Sequence, residues 1–122
     1  MKMAMVGCGG IAQRHLITIR EAGDELVAAV DPNLDNARRA VEQYGGQVFA
    51  GVGDMLTALR PEAAVIASPP NVHLDNASSL LQAGVPVLLE KPIAHSLADA
   101  DALVVVQAET GVPAFVAYCH RY

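Results

Sequence analysis

The chain alternates between two hydrophobic patterns. Short, solid aliphatic runs closed by glycine, proline or an acid are separated by stretches whose apolar positions recur at helical spacing. Met3 to Val6 is the first solid run, closed by Gly7, and it predicts a strand buried on both faces. Between Gly10 and Ala22, Ile11, His15/Leu16 and Ile19 fall at helical spacing, and Gly23 stops the segment. Glu25 to Val30 (ELVAAV) predicts a second strand, broken by Asp31-Pro32. Asn33 is placed to cap a helix running to Tyr44, and Gly45-Gly46 ends it. Gln47 to Ala50 predicts a short third strand, and Asp54 to Leu59 a short helix before Pro61. Ala63 to Ala67 (AAVIA) predicts the fourth strand, broken by Ser68-Pro69-Pro70-Asn71. Asn71 or a neighbour is then expected to cap a helix with Ala77, Leu80 and Leu81 on one face and Gly84 at its end. Val85 to Leu89 predicts the fifth strand, stopped by Glu90-Lys91-Pro92. Ser96 caps a helix to Glu109, and Ala114 to Cys119 predicts a sixth strand.

Six strands joined by helical crossovers imply an α/β fold with a doubly wound parallel sheet. Right-handed crossovers are the rule for such units. The expected strand order is 3-2-1-4-5-6, the dinucleotide-binding arrangement. The 122 residues suffice for one domain with one core, and no repeat or linker divides them. Val and Ala dominate an apolar half, with no Trp, two Phe and three Tyr, which suits a sheet sandwiched between helices.

Charge narrows the function classes. The formal net charge is −5, and no basic cluster exceeds Arg38-Arg39, so no electrostatic footprint for nucleic acid is present. No apolar run approaches the roughly 20 residues that span a bilayer. Cys8 and Cys119 lack CxxC or metal-ligand spacing, and no metal site is expected. The first residues are too short an apolar stretch for an export signal before the glycines begin. A soluble cytoplasmic protein with free thiols is the expectation.

The first candidate site is the turn after the first strand, Gly7-Cys8-Gly9-Gly10-Ile11-Ala12, which contains G-x-G-x-x-A. Gly7 permits the tight turn. Gly9 lets the backbone approach a pyrophosphate, and Ala12 is small enough for close helix–strand packing. The following helix aims free N–H groups and the positive end of its dipole at the phosphates. The motif by itself is weak, but here it follows a strand, opens a helix and has an acid at the right distance. Asp31, 24 residues after Gly7 at the end of the second strand, is placed to accept hydrogen bonds from the adenosine ribose. Its charge would repel a 2′-phosphate, and no Arg follows Pro32-Asn33, so NAD is expected over NADP.

Ligands of open parallel sheets bind outside the carboxyl ends of the strands. Two more polar clusters fall there. Ser68, Pro69, Asn71 and His73 follow the fourth strand as candidate cofactor contacts. Glu90-Lys91-Pro92 follows the fifth. Lys91 could donate to a substrate oxygen and Glu90 accept from a ribose hydroxyl. A bland alternative is a Glu90–Lys91 ion pair on the rim.

These residues together resemble the N-terminal domain of the glucose–fructose oxidoreductase / inositol dehydrogenase (Gfo/Idh/MocA) family. The likeness rests on Gly7-x-Gly9-x-x-Ala12 with His15 downstream, Asp31, Pro70-Asn71-x-His73, Leu80-Leu81-x-Ala83-Gly84 and Glu90-Lys91-Pro92. It extends to Ala117-Tyr118-Cys119-His120-Arg121-Tyr122. The resemblance implies hydride transfer between a nicotinamide and a hydroxyl-bearing carbon of a sugar, cyclitol or similar polyol-like substrate. It implies that Lys91 assists proton transfer, that Glu90 and Asn71 face the nicotinamide-side ribose, and that Arg121 approaches the nicotinamide. It also implies a second, α+β domain that carries the substrate pocket and the main acid/base His. Residues 1–122 would then be the cofactor domain of a longer protein, expected to form a homo-oligomer, and inactive towards substrate when alone.

Other polar residues are given humbler roles. His15 is expected to pack or make a local hydrogen bond, and His73 to orient its turn or touch cofactor. Cys8 occupies a variable position of the turn and reads as spacing rather than nucleophile. Asp99 and Asp101 are helix N-terminal charges. No partner is evident for His95 or His120. Two other functions share this pattern: a catalytically silent dinucleotide sensor, since fold does not dictate function, and another small-molecule enzyme such as a methyltransferase. Glu-Lys-Pro has no evident role in the latter, and a pure binder has less need of Lys91.

Overall fold

The computed structural model describes residues 1–117. Arg121, Cys119, His120 and the tyrosine-flanked terminal stretch lie outside the described residues. Six strands, β1 (Lys2–Val6), β2 (Glu25–Val30), β3 (Gln47–Phe49), β4 (Ala63–Ile66), β5 (Val87–Glu90) and β6 (Ala114–Ala117), form one sheet. All neighbours pair in parallel, in the order β3-β2-β1-β4-β5-β6. Five helices make the crossovers: α1 (Ala12–Glu21), α2 (Leu34–Tyr44), α3 (Val52–Ala58), α4 (His73–Gln82) and α5 (Leu97–Thr110). This is the doubly wound arrangement expected from the pattern.

Alternation along each strand builds two cores, one on each face of the sheet. Ala4, Val6, Ala28, Val30, Ala64, Ile66, Val87 and Leu89 face α3, α4 and α5, where Met55, Leu80, Leu81 and Leu103 complete the layer. Met5, Ala29 and Val65 face the opposite way, against Leu16 and Ile19 of α1 and Ala37 and Ala40 of α2. Ala12, the last residue of the Gly-rich motif, is fully buried in this second layer. The small residue there lets α1 lie close to the sheet.

Caps follow the sequence in two of three cases. The Asn33 side chain accepts from the Asp35 amide at 3.2 Å, and Ser96 Oγ accepts from the Asp99 amide at 3.1 Å. α5 ends at Gly111, whose φ of +67° gives the left-handed cap. Asn71, by contrast, caps nothing. Pro70–Val72 forms a turn of 3-10 helix, and α4 starts at His73 with no side-chain cap. The tandem prolines supply the preset φ values of a tight turn, so the helix needs no capping side chain to begin. β5 starts at Val87 rather than Val85, because Pro86 has no N–H to give the ladder; it then extends through Glu90.

Register explains why the sheet has one functional edge. Val6 is level with Val30 on one side and Ile66 on the other, Val30 with Phe49, and Ile66 with Leu89. The residues next in sequence, Gly7, Asp31, Ala50, Ala67 and Glu90, therefore fall along a single row at the carboxyl ends of the strands, Glu90 as the last residue of β5.

Candidate functional site

A cleft of about 690 Å³ opens along this row, across the point where the crossovers reverse direction between β1 and β4. Gly7, Gly9, Ile11, Asp31, Ser68, Pro69, Asn71, Glu90 and Lys91 line it. Chain segments more than eighty residues apart in sequence thus share one wall.

The Gly-rich turn is shaped by close approach and by open space. Gly7 has φ +86°, and a Cβ there would meet the Ala67 carbonyl carbon at 2.6 Å and Ser68 Cα at 2.7 Å. Only glycine lets the turn after β1 pass the turn after β4. At Gly9 a Cβ would meet no protein atom within 4 Å. Packing of the chain does not require that glycine; the bare backbone faces the cleft. The first turn of α1 has neither a side-chain cap nor an acid, so its leading N–H groups have no internal anionic partner. Cys8 and Ala12 are buried, and Gly10 is exposed outside the cleft lining.

Asp31 is held before any ligand arrives. Its Oδ2 accepts from the Cys8 amide at 2.9 Å and its Oδ1 from the Asn33 amide at 2.8 Å. The carboxylate ties the Gly-rich turn to the end of β2, and each oxygen retains a further lone pair. Asn36, in the first turn of α2, lines the cleft beside it. Its Oδ1 accepts from Arg39. The sequence reading overlooked Asn36, for which only the helical spacing after Asp31 offered a signal.

The far end is built from the turns after β4 and β5. Ser68 Oγ accepts from Asn76 Nδ2 at 3.0 Å, a contact from α4 that spacing alone did not single out. His73 does not line the cleft. It is 1% exposed, with Nε2 2.8 Å from the Ser68 carbonyl oxygen and Nδ1 3.2 Å from that of Ile93. Its imidazole thus joins the two turns from beneath, the orienting role of the two weighed for it.

Glu90 and Lys91 do not pair with each other. Glu90 Oε1 lies 2.6 Å from His15 Nε2, with the two side chains 11% and 17% exposed. Lys91 is exposed, and among the described residues it has no carboxylate partner. His95, for which the sequence offered no partner, meets Asp99 at 3.1 Å one turn along, away from the cleft. No three His, Cys, Asp or Glu side chains among the described residues gather as metal ligands. No helix among them is long and apolar enough to cross a membrane.

Bare backbone at Gly9, an uncapped helix start, a prepositioned carboxylate at one end and a lone cation at the other fit a dinucleotide. Fold and cleft together define a dinucleotide-binding domain of the Rossmann class. Comparison with known proteins identifies it further. Residues 1–118 match an oxidoreductase family with an NAD-binding Rossmann fold, GFO_IDH_MocA. The chain belongs to this family.

Among its relatives, glucose-6-phosphate 3-dehydrogenase of Bacillus subtilis is 36% identical over 124 residues, covering 99% of this chain and 34% of that protein. Inositol 2-dehydrogenase of Rubrobacter xylanophilus is 35% identical over 111 residues, covering 89% and 32%. The WlbA dehydrogenase of Bordetella pertussis, solved in complex with NADH and UDP-GlcNAcA, superposes with a TM-score of 0.93. It is 34% identical and is matched over 98% of this chain and 37% of that one. The chain therefore spans about a third of the length of these relatives.

Proposed function

We propose that residues 1–122 are the cofactor domain of a longer NAD-dependent oxidoreductase. That enzyme transfers hydride between the nicotinamide and a hydroxyl-bearing carbon of a sugar, a cyclitol or a similar small molecule. The observation that carries the reading is Asp31, whose two carboxylate oxygens are anchored by the amides of Cys8 and Asn33 at the lip of the cleft. That anchoring presents a fixed negative charge and spare lone pairs where the adenosine ribose of a dinucleotide would lie, beside the Gly-rich turn. Relatives named as dehydrogenases of glucose 6-phosphate and inositol support the substrate class.

In this reading the Gly-rich turn from Gly7 to Ala12 holds the pyrophosphate, with Gly7, Gly9 and Ile11 on the cleft and Cys8, Gly10 and Ala12 shaping the turn around it. Asp31 accepts the ribose hydroxyls and disfavours a 2′-phosphate, which selects NAD over NADP. Ser68, Pro69 and Asn71 form the wall beside the nicotinamide-side ribose, with His73 bracing the turn, and Glu90 accepts a hydroxyl there. Bound NAD supplies the hydride acceptor. Lys91 would donate through Nζ to the reacting oxygen and so assist transfer of the hydroxyl proton to the principal acid/base. Arg121 approaches the nicotinamide end. The rest of the longer polypeptide contributes the substrate pocket, the principal acid/base and the contacts of a homo-oligomer, and the enzyme works in the cytoplasm.

Calorimetric titration of the chain with NAD, NADH, NADP and NADPH tests the reading. Saturable binding that favours the unphosphorylated pair is expected. Absence of binding by the folded chain, or a preference for the phosphorylated pair, would overturn it.

A further inference from the structure

Glu90 is buried apart from its edge on the cleft, and a carboxylate withdrawn from water needs a donor. Lys91, its neighbour in sequence, does not supply one. The donor comes from 75 residues upstream, where His15 reaches from the end of the first turn of α1 to Glu90 Oε1 at 2.6 Å. A carboxylate only accepts, so the ring donates through Nε2–H. The bond spans the β4 position of the sheet, since β1 and β5 are separated by β4. It ties the helix that starts at the Gly-rich turn directly to the Glu-Lys-Pro segment. Among the described residues Glu90 Oε2 has no hydrogen-bond partner, yet it is not a buried unsatisfied atom. One oxygen is held by α1, and the other is left to the cleft that Glu90 lines.

We propose that His15 is a positioning residue for the half of the cleft opposite Asp31: by holding Glu90 Oε1, it aims Oε2 at the nicotinamide-side ribose of the bound dinucleotide. The proposal rests on the dinucleotide-binding reading above and assigns that reading's second end a residue that never touches the ligand. Asp31 and the Gly-rich turn serve the adenosine and pyrophosphate portions, so His15 matters to the nicotinamide-side half alone. A generic packing role in α1 would instead disturb the Gly-rich turn and weaken both halves together.

NADH and ADP titrations separate these cases, since ADP carries only the adenosine and pyrophosphate portion. In the chain, His15→Ala is expected to lower NADH affinity roughly tenfold, the scale of one charge-assisted hydrogen bond. ADP affinity is expected to stay within about twofold. His15→Gln, whose amide N–H reaches the position of Nε2, is expected to restore NADH binding to within about threefold of wild type. Glu90→Ala removes the same bond from the strand side and should reproduce the split. His15→Ala added to Glu90→Ala should then change NADH affinity by less than about twofold. Circular dichroism checks that each variant is folded, and Glu90→Ala with His15→Gln carries the test if His15→Ala is not. Equal losses for NADH and ADP, no loss for NADH, or additive effects of the two alanine changes would overturn the proposal. Failure of the wild-type chain to bind either ligand would overturn the dinucleotide reading, and this proposal with it.

Discussion

Asp31 carries two duties at one carboxylate: it accepts from the Cys8 and Asn33 amides and faces the cleft with its remaining lone pairs. Asp31→Ala removes both duties. NAD affinity should fall roughly ten- to a hundredfold, the range of hydrogen bonds to a charged group, and the preference over NADP proposed above should narrow. Calorimetry on the variant checks this, and unchanged affinities would remove Asp31 from the site. Cys8, beside it in space, is a different kind of residue. Its thiol lies against the Met5 and Val30 carbonyl oxygens, and burial first, then the Asp31 charge, push it from the ordinary value of 9.0 up to about 12. The folded chain keeps a proton that the unfolded chain loses above pH 9. Stability from this group is therefore complete below pH 9 and declines by about 1.4 kcal/mol per pH unit between 9 and 12. Denaturant unfolding at pH 8, 10 and 11 should show a decline that is smaller in Cys8→Ala. A thiol so held is also a poor nucleophile, which agrees with reading position 8 as spacing.

The helices owe their starts to different devices, and these respond differently to substitution. α5 fully buries Leu103 alone and leaves Leu97, Val104 and Val105 exposed, whereas α1 buries three residues and α4 four, so packing anchors α5 less firmly. Its cap is correspondingly important. Ser96→Ala removes the Oγ acceptor of the Asp99 amide and should cost about 1 kcal/mol, read as a lowered midpoint in denaturant with an unchanged slope. α4 begins instead from the Pro69-Pro70 turn, so Asn71→Ala should leave stability within about 0.5 kcal/mol. That difference marks where local pattern misleads: an Asn before an apolar run reads as a cap, but the prolines had already set the backbone.

At the scale of the whole molecule, the cleft is a product of sheet register. The row Gly7, Asp31, Ala67 and Glu90 converges because Val6, Val30, Ile66 and Leu89 are level. Lys91 stands at the end of that row without a carboxylate partner among the described residues, available to a ligand rather than spent on Glu90. In the longer enzyme proposed above, Lys91→Ala should lower kcat at least tenfold while the dissociation constant for NADH changes little. Steady-state kinetics beside NADH titration separates the two, and equal activity would sink the proton-transfer role.

The sequence by itself determined the element order, the parallel sheet and its strand order, because each rests on a local signal: solid aliphatic runs, helical spacing and the glycines, prolines and caps between them. It also singled out Gly7, Gly9, Asp31 and Lys91 as candidates from their fixed positions after strands, and all four line the cleft. Tertiary structure alone decided who partners whom. The choice of His15 over Lys91 for Glu90, the reach of His73 to the Ile93 carbonyl and the bond from the Cys8 amide to Asp31 each join residues from different crossovers, and the Ser68–Asn76 bond depends on how α4 settles against the turn before it. No periodicity encodes such contacts. They depend on how far a helix rotates and slides over the sheet before its side chains pack, and that is settled only when all six strands are in register.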